Sequence, residues 1–109
     1  MFHMLTCFNL RPGIKLGAFR KALADYTAHL QELDLVESHS PIGQRQSDTI
    51  LDTDGERHHQ YFNTMSFRDR TQADAAVDYT KAQTEPGHSM HHAVYSKVQD
   101  PIFICWQDT

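Results

Sequence analysis

Eight histidines, His3, His29, His39, His58, His59, His88, His91 and His92, are the side chains of this 109-residue chain with the most chemistry to offer. Imidazole has the side-chain pKa nearest neutrality, which suits it to proton transfer and to metal binding. The densest group is His88, His91 and His92. On a helix this spacing brings at least two rings onto one face, and His58 or His59 could supply a further metal ligand. The group lacks the Glu of an H-E-x-x-H helix and follows a Pro86-Gly87 break. No metal and no other cofactor is assigned on this basis.

Further candidates are polar residues inside strand-like apolar runs. Asn9, Tyr61 and Asn63 are placed to enter an otherwise apolar cavity from rigid strands, and His88 and Trp106 complete the expected ligand contacts. Cys7 and Cys105 stand at opposite ends of the chain, without the close spacing of a zinc knuckle or redox motif, and read as buried reduced thiols. Asp52-Thr53-Asp54-Gly55-Glu56 opens like a calcium loop but lacks the later ligands, so it reads as a turn. Neither a serine nucleophile motif nor a glycine-rich phosphate loop occurs, which sets acyl and phosphoryl transfer aside.

The net charge is −4, and Lys and Arg are scattered, so no basic stripe is available for phosphates and nucleic acid is not an expected partner. No stretch approaches the roughly 20 apolar residues of a membrane span, and the first residues lack a basic leader region. The expected location is the cytoplasm, with no membrane partner.

These groups must be held by elements that the hydrophobic pattern defines. Phe2 to Leu10 reads as a strand with Phe2, Met4, Phe8 and Leu10 on one face and Leu5 and Cys7 on the other. Leu16, Phe19, Leu23, Tyr26, Leu30 and Leu33 recur at steps of three and four, the stripe of an amphipathic helix. Val36 to about Gln46 is a polar strand interrupted by Pro41, which belongs at a sheet edge. A loop over residues 47–56 leads to a strand over His58 to Phe67. A second helix runs from Thr71, its expected cap, to about Gln83, with the small residues Ala73, Ala76, Val77 and Thr80 facing inward. Small residues there can leave a cavity under the helix. His88 to Val98 is ambiguous between a short helix and irregular chain, and Ile102 to Trp106 is a closing apolar strand.

The length fits a single domain spanning residues 1–109. Strand, helix, strand, strand, helix, strand is the order of the α+β ferredoxin-like fold, with a four-stranded antiparallel sheet. Two helices cover one face of such a sheet, yet the first and last strands are apolar on both faces. At about 25 cal/mol per Å² of apolar area, leaving the second face wet would consume much of a small domain's marginal stability. Two sheets packed face to face, in a homodimer, meet that requirement.

The chain resembles the dimeric α+β-barrel superfamily, near its stress-responsive A/B-barrel and antibiotic-biosynthesis-monooxygenase-like members. The resemblance rests on the order of elements, on Gly43-Gln44-Arg45, on the Phe67-Arg68-Asp69-Arg70 junction, on Asp78-Tyr79, and on the histidines that follow. It implies two protomers with pressed sheets and a small pocket in each, between sheet and helices. It also implies that the segment after the second helix passes the pocket mouth, which makes His91 or His92 the candidate catalytic base. Haem-degrading relatives use an Asn on the first strand, a Trp on the third and a His on the second helix. Asn9 could stand for the first, but the only Trp is Trp106 on the last strand and the second helix holds no His, which argues against that activity. Three functions remain: binding of a compact hydrophobic or aromatic molecule, cofactor-free oxygenation or isomerisation with a His base, and a non-catalytic stress-response or structural dimer.

Overall fold

A computed structural model describes residues 1–109. The elements are β1 (Phe2–Leu10), α1 (Leu16–Glu32), β2 (Ser38–His39), β3 (Gly43–Gln44), β4 (Tyr61–Phe67), α2 (Arg70–Ala82), α3 (Gly87–Tyr95) and β5 (Val98–Gln107). The sheet runs β2-β4-β1-β5 with β3 also beside β4, and every pair is antiparallel. This is the ferredoxin-like α+β fold that the order of elements predicts. The expected second strand is divided into β2 and β3, so the sheet counts five strands, not four. Pro41 cannot donate to a ladder, and the Ser40 side chain takes over by accepting the Thr64 N–H at 2.8 Å.

α1 buries Phe19, Leu23, Tyr26, Thr27 and Leu30. Leu33 falls just beyond the last turn and is 45% exposed, so the stripe ends one position early. Phe8, 1% exposed, lies against Phe19 with ring centroids 4.9 Å apart, and Met65, Phe67, Ala73 and Ala76 close the core around them. The cap of α2 is Asp69, not Thr71: its carboxylate accepts the Gln72 N–H at 2.8 Å while the Gln72 side chain takes the Arg68 N–H at 2.7 Å. Both atoms relieve donors that a helix start would otherwise leave unpaired. The ambiguous segment after Pro86 is α3. Gly87 at its start lies against the Tyr79 ring, where a β-carbon would collide.

Period-two alternation sorts the strands. Phe2, Met4, Thr6 and Phe8 face the helices, whereas His3, Leu5 and Cys7 face away, level with Trp106, Ile104 and Ile102 of β5 and with Ser66, Thr64 and Phe62 of β4. Cys7 is buried and its thiol is pushed up by desolvation, partly offset by the Arg57 charge. Cys105, expected to be buried, is exposed, because it lies on the helix side of the outermost strand where no helix reaches.

Arg45 organises the segment before β4. Its guanidinium donates two 2.8 Å bonds to the Asp52 carboxylate and one of 2.7 Å to the Asp54 carbonyl. Asp54 in turn accepts from Arg57 at 2.8 Å, and that hydrogen bond, with two backbone N–H groups, holds its carboxyl at about 2. The two aspartates of the calcium-like run are thus taken by arginines. No helix is long and apolar enough to cross a membrane.

Candidate functional site

Between the sheet and its helices lies a cleft of about 1190 Å³, open along β5. Its floor is the inward row of β1, with Asn63, Met65 and Phe67 of β4 and Phe103 and Cys105 of β5. α1 contributes Leu23, Tyr26 and Leu30 to the walls, α2 contributes Ala73, Ala76, Val77 and Thr80, and α3 contributes His91, Val94 and Tyr95. The small face of α2 is therefore where space is left, since Ala at two inward positions cannot reach the sheet as Leu or Phe would.

The polar groups of the cleft are few. The Tyr26 hydroxyl and Thr80 Oγ1 share a 3.3 Å hydrogen bond, and burial pushes the Tyr26 phenol up, opposed by that bond. His91 lies with its ring 5.2 Å from Tyr26 and 5.0 Å from Tyr95. Desolvation lowers its pKa, helped by the neighbouring His88 and His92 charges, which favours the neutral form of the ring. Asn63 is 5% exposed and donates from Nδ2 to the Ser40 carbonyl at 3.0 Å, which fixes the orientation of its amide in the cleft wall.

Of the catalytic and ligand-contact candidates named from sequence, His91 and Asn63 line the cleft, whereas Asn9, Tyr61, His88, His92 and Trp106 do not. Asn9 lies on the far face of β1, where its side-chain oxygen accepts the Gln60 N–H at 2.9 Å. Tyr61 faces the helices but stacks on Phe8, 5.8 Å between centroids, at the end of the core. His92 is exposed and meets Tyr95 edge-on at 5.1 Å, while His88 is half-buried in the first turn of α3, outside the lining. Trp106 lies on the opposite side of the sheet, stacked on His3 at 5.1 Å. His59 is buried and donates from Nε2 to the Asp100 carbonyl at 2.8 Å, leaving its Nδ1 unpartnered. No group of three His, Cys, Asp or Glu side chains is gathered in metal-binding geometry.

Tyr26 and Arg11 are cleft residues that sequence reasoning passed over. Tyr26 carried a signal, being the one member of the α1 stripe with a hydroxyl to satisfy. Arg11 stands beside Pro12 and Gly13, where the sequence signals only a turn.

The model of one family, described as a family of unknown function (DUF6614), matches residues 1–108. The chain belongs to DUF6614. No curated protein matches the sequence. Among solved structures, the Arabidopsis thaliana protein At3g17210 is similar over 100% of this chain and 96% of its own, with a TM-score of 0.76 at 7% identity. A dimeric ferredoxin-like protein of unknown function from Jannaschia sp. CCS1 is similar over 98% of each chain, with a TM-score of 0.66 at 12% identity. A dabb family protein with a ferredoxin-like fold from Mesorhizobium loti covers 99% of this chain and 96% of its own, with a TM-score of 0.60 at 14% identity. At these identities the likeness is one of fold, the ferredoxin-like α+β fold that the order of elements in this DUF6614 chain predicts.

Proposed function

We propose that this DUF6614 protein is a cytoplasmic homodimer that binds an apolar small molecule in the cleft of each protomer, without a resident metal or cofactor. The observation that carries the reading is the cleft itself: apolar, open to solvent along one strand, and bordered by a few converging polar groups, as ligand sites are. The dimer is supported by the exposed Ile102, Ile104 and Trp106 on the far face of the sheet and by the dimeric ferredoxin-like relative from Jannaschia. Both cysteines are free, as fits a reducing compartment.

The test is titration with the neutral fluorophore N-phenyl-1-naphthylamine. Saturable binding by the wild type that is lost in Ala76→Phe, with the fold retained by circular dichroism, is the expected result. Equal binding by both proteins would place the probe elsewhere and overturn the reading. A second reading, His91 as a general base on a bound carbon acid, is favoured by the ring's position in the cleft wall and its neutral form. It predicts turnover that His91→Ala abolishes and the exposed His92→Ala leaves intact.

A further inference from the structure

The shape of the cleft and the charges at its ends narrow the ligand class, an inference that rests on the proposed cleft-binding function. Phe2, Met4, Thr6 and Phe8 all line it, so the track follows the strand from Phe2 to Phe8, about 20 Å at about 3.3 Å per residue step. Its volume of about 1190 Å³ exceeds the roughly 300–1,000 Å³ of ordinary small-ligand sites. A compact ring would leave most of it wet. The polar groups along its length make few demands on a ligand, because Tyr26 is bonded to Thr80 and the Asn63 Nδ2 to Ser40.

The ends differ. At the Phe2 end Arg70 is held by Asp74 at 3.0 Å and lies over the Phe2 ring. At the other end Arg11 donates from Nε to the Val98 carbonyl at 3.0 Å, which presents the two terminal guanidinium nitrogens without a protein partner. With Arg70 and Asp74 cancelling, the remaining charged lining residues are Arg11 and Lys81 against Asp100, a net of +1. A planar fork of free N–H donors beside an apolar track is suited to a carboxylate.

We infer that the cleft takes an elongated single-chain amphiphile with an anionic head, its carboxylate on the Arg11 guanidinium and its alkyl tail laid along Thr6, Met4 and Phe2. The test is displacement of N-phenyl-1-naphthylamine by octanoate, decanoate and dodecanoate, and by dodecanol as the neutral match, all below their micelle concentrations. Affinity should rise about three- to fourfold per added methylene, and dodecanoate should bind at least about tenfold tighter than dodecanol, the effect of a charge-assisted hydrogen bond. Arg11→Gln should remove the difference between acid and alcohol while leaving the chain-length slope. Equal affinity of acid and alcohol for the wild type would overturn the anionic head and leave the apolar cleft standing. A flat chain-length series would overturn the elongated track. A fluorophore that does not bind at all would sink the cleft reading with it.

Discussion

One sheet carries two faces that solve the same problem differently. On the helix side the alternating residues of β1 and β4 meet α1 and α2, and Phe8, Met65 and Phe67 are all at most 8% exposed. On the far side Ile104 and Trp106 of β5 are 50% and 43% exposed. The first and last strands are apolar on both sides, so the difference arises from what the chain has left to cover them with. Three helices are spent on one face, and even there they stop short of β5, which leaves Phe103 59% exposed at the cleft mouth. A protomer thus has a finished core, an open cleft beside it, and an exposed apolar sheet face on which the proposed dimer would close.

The largest separation between the two faces is expected from deletion of Phe8. Phe8→Ala should cost about 3–5 kcal/mol, as buried aromatic truncations do, read as a shift in the denaturant midpoint. Loss of under about 1 kcal/mol would show that the helix-side core is looser than its packing implies. Adjacent residues of β5 then compare the faces on a single strand. Ile104→Glu should dissociate the proposed dimer in sedimentation, because each of two copies loses burial of the half of Ile104 that a protomer leaves exposed, about 1 kcal/mol a copy and at least about tenfold in dissociation constant. Phe103→Glu, one residue earlier but on the cleft side, should leave the mass unchanged. If Phe103→Glu dissociates the protein and Ile104→Glu does not, the interface is on the wrong face.

The fold was legible because its strongest signals are periodic: the α1 stripe from Leu16 to Leu30 and the alternation in β1 and β4 each name a core-facing row. The faces of β5 were not, since Ile102 to Trp106 is continuously apolar and only its register with His3, Leu5 and Cys7 shows which way each residue points. That is why Trp106 was expected among the ligand contacts and is found behind the sheet. Of the candidate site, the small face of α2 could be read from local pattern, whereas His91 followed only from the family resemblance and could not be told from His92. Tyr26 and Thr80 could not be paired, because 54 residues separate them and only tertiary packing brings them together. Arg45 was read as a strand end, whereas its hydrogen bonds organise the next ten residues or so.

A smaller effect sharpens the helix side further. Gly87→Ala forces a methyl group against the Tyr79 ring, whose hydroxyl lies 2.7 Å from His29 Nε2. Overpacking of this kind costs about 1–3 kcal/mol, and a second change, Tyr79→Leu, should recover most of it. Without such recovery the glycine would be needed for backbone reasons alone.

The subtlest contrast is in pH. His91 has its pKa lowered from the ordinary 6.5, chiefly by desolvation in the cleft wall. Above pH 6.5 both folded and unfolded chains hold it neutral and it contributes no pH dependence. As pH falls below 6.5 the unfolded chain takes up a proton that the native ring resists, so stability declines until the lowered native value is passed. Across the sheet, the His3 Nε2–H bond to Asp108 at 2.9 Å holds that carboxyl below its ordinary 3.8. Its contribution is complete above 3.8 and is lost only as pH falls through the lowered value. Melting temperature followed from pH 8 to pH 3 should therefore show two separable slopes. His91→Gln should flatten the one that begins near 6.5 and Asp108→Asn the one below 3.8. If His91→Gln leaves the upper slope untouched, the ring is solvated in the folded protein and the cleft wall beside Tyr26 is wetter than its packing indicates.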